Sequence, residues 1–346
     1  MRRLRKTIAV CLIAVLGVVS FTGCGHDEEK TAGVPDRTSL SGSVTVAVAE
    51  GDAYNTVGKL SGDIKINKVA GQQDVLKQLK NGKCDFAVLT PIEAARYYNE
   101  NGGIKVVTTL ALGDWKIAGS DYDSEEAPEL SYMAGRIVSG LQDEAESSSV
   151  ENDGEEAGEY GEGQGEIDQY AEEQPMEEPE EIIETREMSQ EVFEALMAEE
   201  KIGYYDGQIQ WTEFADIENA LNRYGAAVMG TEKNVSKVIA GKEEFKELFS
   251  LSELWGEEFE GEIPGYVLVA TDSFLKDRNY EVEGVLDIIA DKIEANQDSS
   301  DLKLVAYNMS NRGTMIVRDF LEIMAEENPD AVEGEAPAVS FYWSGK

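Results

Sequence analysis

The chain has 346 residues, with 69 Asp and Glu against 30 Lys and Arg, a net charge of −39 and a single histidine. That charge excludes nucleic acid as a partner, because phosphate contacts need Lys and Arg patches, and it opposes spreading on an anionic lipid surface. The one histidine, His26, argues against a Ser-His-Asp or Cys-His catalytic unit and a histidine-rich zinc site, so no catalysis, metal or cofactor is expected.

At the N-terminus, Arg2, Arg3, Arg5 and Lys6 precede an apolar run from Thr7 to Phe21. The run is about 15 residues, shorter than the ~20 that span a bilayer as a helix. Phe21-Thr22-Gly23 then lead into Cys24. Basic start, apolar run and Gly-Cys in this order predict a bacterial lipoprotein signal at 1–23, with Cys24 as the lipidation site. The competing reading is an ordinary secretory signal or a short anchor. Two acyl chains on Cys24 would hold the mature chain on the extracytoplasmic face of the cell membrane, with the lipid as its only membrane contact. Of the three cysteines, Cys11 leaves with the signal and Cys24 is acylated. Cys84 then has no partner, so no internal disulfide is expected. Residues 24–42 are polar, contain Pro35 and read as a flexible tether.

Strand and helix signals alternate from Ser43. Val44–Val48 and Ile64–Val69 read as strands, and Asp74–Lys80 as a helix with Val75, Leu76 and Leu79 on one face. Asn81-Gly82 ends that helix. Phe86–Leu89 is a short strand stopped by Thr90-Pro91. A helix over Ile92–Tyr98 and a strand over Ile104–Leu112 follow. After a break, Glu191–Ala198 reads as a helix, Gln208–Trp211 as a strand, Asp216–Leu221 as a helix and Ala226–Met229 as a strand. This alternation predicts an α/β fold with a parallel sheet and helices on both faces.

The break is residues 143–187, where 19 of 45 side chains are acidic and one, Arg186, is basic. Such a segment buries too little apolar surface to offset its ordering entropy, and it reads as a disordered acidic insertion inside a folded domain. Its carboxylates suit Ca²⁺, but no spaced Asp-x-Asp-x-Asp-Gly loop is present, and a solvated charge run is the favoured reading.

The two alternating stretches carry a repeat. Asp74-Val75 with Leu79 matches Asp216-Ile217 with Leu221, and each leads through a glycine-containing turn into a strand, Ala87-Val88-Leu89 or Ala227-Val228-Met229. Two similar lobes would place strand ends and helix starts at a common cleft, where ligands bind in open α/β sheets.

Several stretches, in order, resemble the type II solute-binding proteins of ABC importers, in the nitrate, sulfonate, taurine and thiamine-precursor branch. Val44-Thr45-Val46-Ala47 with Gly51 and Gly58-Lys59-Leu60 resembles the first strand and ligand loop. Asn81 to Pro91, reading NGKCDFAVLTP, resembles "NGxxDIAxxP". Ala134-Gly135-Arg136-Ile137 resembles the opening of the second lobe, and Ala227-Val228-Met229 with Glu232 and Val235-Ser236 resembles "AVLxEPxVT". Phe320-Leu321-Glu322, Asn328-Pro329 and Phe341-Tyr342 resemble the closing segment. The departures fall in ligand loops: Gly51-Asp52-Ala53-Tyr54 replaces Gly-Pro-Thr-Gly, Lys233 replaces a proline, and the acidic insertion follows Ser139-Gly140.

The resemblance implies a two-lobed fold, each lobe a mostly parallel sheet with flanking helices, joined by a two-segment hinge. Lobe I would be 43–115 plus 265–346 and lobe II 116–264, with the insertion at 143–187. It implies a monomeric solute carrier that captures a small molecule between its lobes and delivers it to an ABC permease and its ATPase. Candidate ligand-binding residues are Tyr54 and Asn55 in the first loop, Gln72 and Gln73 in the second, and Thr90 after the third strand. Trp115 near the hinge, Gly140 before the insertion, Trp211 at a strand end and Glu232 at a helix start complete the set. Short polar side chains at strand ends orient small ligands, though Asn and Thr there also serve turns and caps. Trp115 and Trp211 could stack on a planar or cationic ligand or simply pack in the core. Arg136 could pair an anionic ligand, but a strand-edge surface cation is the favoured reading. A non-transport sensor or surface lipoprotein, with the acidic insertion as its partner or Ca²⁺ contact, stays open as the alternative.

Overall fold

The computed structural model describes residues 40–57, 64–120, 128–141, 187–203, 208–212, 216–222, 226–295, 300–305, 307 and 311–345. Cys24 and the acidic insertion, save Glu187, lie outside the described residues. No helix among the described residues is long and apolar enough to cross a membrane.

The first half builds one sheet. The strands are β1 (Val44–Ala49), β2 (Ile64–Val69), β3 (Phe86–Leu89) and β4 (Ile104–Leu112), with helices α1 (Asp52–Val57), α2 (Gln72–Lys80) and α3 (Pro91–Asn101) between them. β1 and β3 are almost wholly apolar and buried, as expected of strands covered on both faces. α2 buries Val75, Leu76 and Leu79 and stops at Asn81, where Gly82 takes a φ of 61° that L side chains rarely adopt.

The chain then leaves this sheet. β5 (Trp115–Ser120) begins a second sheet with β6 (Val138–Leu141), β7 (Ile209–Thr212), β8 (Ala227–Thr231) and β9 (Phe245–Ser250). Helices α4 (Met188–Glu199), α5 (Ile217–Leu221), α6 (Glu232–Ile239) and α7 (Leu251–Phe259) belong to this half. β10 (Pro264–Thr271) returns to the first sheet, followed by α8 (Asp272–Arg278), α9 (Val282–Ala295), the short β11 (Lys303–Leu304) and α10 (Arg312–Glu327).

The two sheets have matching topology. The first has the order β11-β4-β10-β3-β1-β2 and the second β7-β6-β8-β5-β9. Reversed, the second reads β9-β5-β8-β6-β7, which superposes in order on β4-β10-β3-β1-β2. Each has three parallel strands at one end. Each then accepts the strand that crosses between the halves, β10 or β5, antiparallel to both its neighbours. The repeat seen around Asp74 and Asp216 is therefore the α2–β3 and α5–β8 units of two like lobes. Local alternation alone gives a parallel sheet; the antiparallel strand in each lobe comes from a segment distant in sequence.

The crossings are tight. A Cβ on Gly113 would sit 2.2 Å from the Trp115 ring, and one on Gly265 would sit 2.6 Å from Leu302 Cδ1 and 3.3 Å from the Gly113 amide nitrogen. The strands thus pass one another closely: a side chain at Gly113 would meet the Trp115 ring, and one at Gly265 would displace the end of Leu302 and press on the Gly113 backbone. Beyond the crossings, α10 of the first lobe packs on α4 of the second, and Asn328 Nδ2 donates to the buried Glu191 Oε2 at 2.8 Å. α10 itself docks through Gly313, whose carbonyl accepts from Thr109 Oγ1 at 2.7 Å.

The start of the described chain is pinned to the first lobe by Arg278 and Glu281. Arg278 Nη2 donates to Glu281 Oε2 at 2.6 Å and to the Gly42 carbonyl at 3.0 Å, while the Ser41 amide donates to Glu281 Oε2 at 3.1 Å. These bonds hold the buried Glu281 carboxyl far below its usual range, at about 2, with the Arg278 bond the largest cause.

Candidate functional site

Among the described residues, a cavity of about 830 Å³ lies between α7 of the second lobe and α10 of the first, and two smaller ones open between the lobes where the strand-end loops meet. One is the floor of the cleft, beside the crossings. Thr90 ends β3 and Thr231 ends β8, and both line this floor with Trp115, Met188, Tyr266 and Leu302. Each threonine caps the next helix: Thr90 Oγ1 accepts from the Glu93 amide at 3.2 Å, and Thr231 Oγ1 from the Asn234 amide at 3.3 Å. Trp115, Met188 and Leu302 are buried and fill the space, leaving about 40 Å³. That holds a water or two and no solute.

The second cavity, of about 200 Å³, lies to one side. The first lobe supplies Glu50, Asp52, Tyr54, Asn55 and Lys68 from the end of β1, α1 and β2, with Asp301 before β11; the second supplies Lys233, Asn234 and Lys237 from α6. Lys68 Nζ lies 2.9 Å from Glu50 Oε1 and 5.1 Å from the centre of the Tyr54 ring. Lys233 Nζ reaches across the lobes to Asp301 Oδ1 at 2.5 Å. The buried Asp52 accepts from Ser300 Oγ at 2.8 and 2.9 Å and from the Asp301 amide at 2.7 Å. Burial nevertheless raises its pKa above the ordinary aspartate value, and these hydrogen bonds only moderate the rise. The wall is thus polar and nearly charge-balanced, with three carboxyl groups facing three ammonium groups.

The sequence candidates distribute over these features. Tyr54 and Asn55 line the side cavity. Thr90 and Trp115 line the cleft floor, Thr90 as a cap and Trp115 as filling. Gln72 and Gln73 open α2 and line neither cavity; Gln72 Oε1 is buried without a hydrogen-bond partner. Gly140 and Trp211 pair across β6 and β7, and a Cβ on Gly140 would sit 2.5 Å from the Trp211 ring. Trp211 Nε1 donates to Gln190 Oε1 at 2.9 Å, so this pair packs on α4 and lines neither cavity. Glu232 is exposed at the start of α6. It acts electrostatically on Lys116 in β5: burial disfavours the Lys116 ammonium, but Asp114, Glu247, Glu253 and Glu232 together raise its pKa.

Sequence reasoning missed Lys68, Lys233, Lys237, Asp52 and Asp301. The signal available for Lys233 was its departure from the proline of the resembling motif. Nothing local marks Asp301, which lies 68 residues from its partner Lys233. Cys84 is buried and free, and burial together with Asp85 pushes its thiol up to about 12, so it is inert.

No protein-family model matches the chain, and no curated protein matches it. Solved structures do. An ABC transporter protein from Parabacteroides distasonis is 12% identical, with a TM-score of 0.51 over 88% of this chain and 99% of that one. The periplasmic aliphatic sulphonate binding protein SsuA from Escherichia coli is 8% identical, with a TM-score of 0.50 over 89% and 94%. At these identities the likeness is one of fold, and with the matched lobes and double crossing it gives this chain the two-lobed periplasmic-binding-protein fold.

Proposed function

We propose that this chain is a lipid-anchored extracytoplasmic solute-binding protein of an ABC importer. It captures a small molecule between lobe I (43–115 plus 265–346) and lobe II (116–264) and presents it to a permease. Cys24 carries the lipid, and the chain does no chemistry of its own.

The observation that supports this most is the side cavity, because both lobes build it. A solute that touches Tyr54 and Asn55 on one wall and α6 on the other binds better when the lobes are together than apart. Such differential contact is what drives a closing equilibrium. The volume suits a compact solute of a few heavy atoms, and the balanced lysines and carboxylates suit a polar or zwitterionic one. The structural neighbour SsuA is named for aliphatic sulphonates, which places sulfonates among the classes to try first.

The test is a thermal-shift screen of the chain from residue 25 onward with sulfonates, nitrate, pyrimidines, amines and amino acids. A solute at 100 times its Kd adds about 2.7 kcal/mol of stability, which moves the midpoint by several degrees. The reading expects one class to do so and Tyr54→Ala to abolish the shift. A silent screen, or a shift untouched by Tyr54→Ala, contradicts it.

A further inference from the structure

Another cavity, of about 370 Å³, lies wholly on the first lobe between the start of α10 and the stretch 339–344. It shares no residue with the three interlobe cavities. Its lining includes two cations, Lys105 and Arg318, and no carboxylate, in a chain whose net charge is −39. Arg318 is engaged by Asp319 at 3.0 Å and Glu322 at 3.8 Å. Lys105 makes no ion pair among the described residues.

Two further features of this groove lack an explanation within the fold. Met315 and Val339 are 47% and 82% exposed, and they are two of the four exposed large hydrophobics among the described residues. The Tyr342 hydroxyl is buried without a hydrogen-bond partner, which costs free energy in any folded chain. Burial, and after it the nearby Glu322, raise its pKa, so the hydroxyl keeps its proton. The wall that carries it is fixed: the Trp343 amide donates to the Val106 carbonyl at 2.9 Å, and Trp343 Nε1 to Asn279 Oδ1 at 2.9 Å.

We propose that this groove binds a small organic anion with an apolar body, a carboxylate seated with its charge at Lys105 and its body on Met315, Val339 and Trp343. An ammonium without an ion pair and an exposed apolar shelf around one concave space are the parts that such a ligand needs. The site is separate from solute capture between the lobes and does not depend on it.

The experiment is calorimetric titration of the chain with phenylacetate, and with phenylacetamide as its neutral counterpart. The expected result is saturable one-to-one binding of the acid, at least about tenfold tighter than the amide, as one charge-assisted hydrogen bond provides. Lys105→Gln should weaken the acid about tenfold and leave the amide unchanged. Absence of saturation to about 10 mM, equal binding of acid and amide, or indifference to Lys105→Gln would overturn the proposal.

Discussion

Thr90 and Thr231 stand on the same cavity from opposite lobes and do the same job. Each follows the third parallel strand of its sheet, and each accepts the amide three residues on, at 3.2 and 3.3 Å. The equivalence shows that the two lobes are built on one plan down to the cap. Each threonine replaced by alanine should cost about 1 kcal/mol in urea unfolding, while serine should keep most of it. If neither alanine variant is destabilised, the caps are ornaments of the backbone rather than contributors to stability.

The Glu281 carboxylate sets an acid limit. Its pKa is held at about 2, against an ordinary 4.5, chiefly by Arg278 and then by Ser41. A lowered folded pKa contributes stability that is complete above the unfolded value and is lost as pH falls toward the folded one. The contribution should therefore fade between about pH 4.5 and pH 2, and it is of the order of 2–3 kcal/mol for this nearly inaccessible side chain. Glu281→Gln should lower stability at pH 7 and flatten the profile in that window. An unchanged acid profile would show that the Arg278 pair does not act on folding.

The crossings predict a steric cost. Gly265→Ala places a methyl against Leu302 and the Gly113 backbone. Overpacking of this kind costs about 1–3 kcal/mol. Because Leu302 also lines the cleft floor, the variant should alter Trp115 fluorescence as well as the thermal midpoint. A wild-type midpoint would mean that the crossing strands part more easily than their spacing suggests.

Lys233 and Asp301 span the lobes but are unequally exposed, at 73% and 18%. An exposed pair is worth little to folding, at most about 1 kcal/mol. Lys233→Met should therefore leave urea stability almost unchanged and still shift solute affinity, since Lys233 lines the side cavity. Equal loss in both measurements would assign the pair a purely structural role.

How much of this could be read from the sequence depends on range. Val44–Val48, Phe86–Leu89 and the Thr90-Pro91 stop were legible because buried parallel strands are short apolar runs and proline fixes a helix start. The lobe repeat was legible through Asp74 and Asp216. The place of β10 was not, because its partners Leu89 and Ile104–Leu112 lie more than 150 residues earlier and local periodicity carries no register. In the site, Tyr54 and Asn55 could be found at a strand end, since that is where open sheets bind ligands. Trp115 carried no sign that its ring would fill the floor, because that follows from Gly113 and from Leu302 arriving from far along the chain. The lysines of α6 were invisible as site residues for the same reason: the cavity exists only once both lobes are folded.

The most direct measurement is the distance between the lobes with and without solute. Spin labels on cysteines introduced at the exposed Lys83 and Lys246, one in each lobe, report it, and the buried Cys84 thiol does not compete for the label. Capture between lobes predicts a broad distribution that narrows to its short-distance edge when the stabilising solute is added, and a Tyr54→Ala variant that stays broad. A solute that binds while the distribution stays unchanged would contradict capture between the lobes.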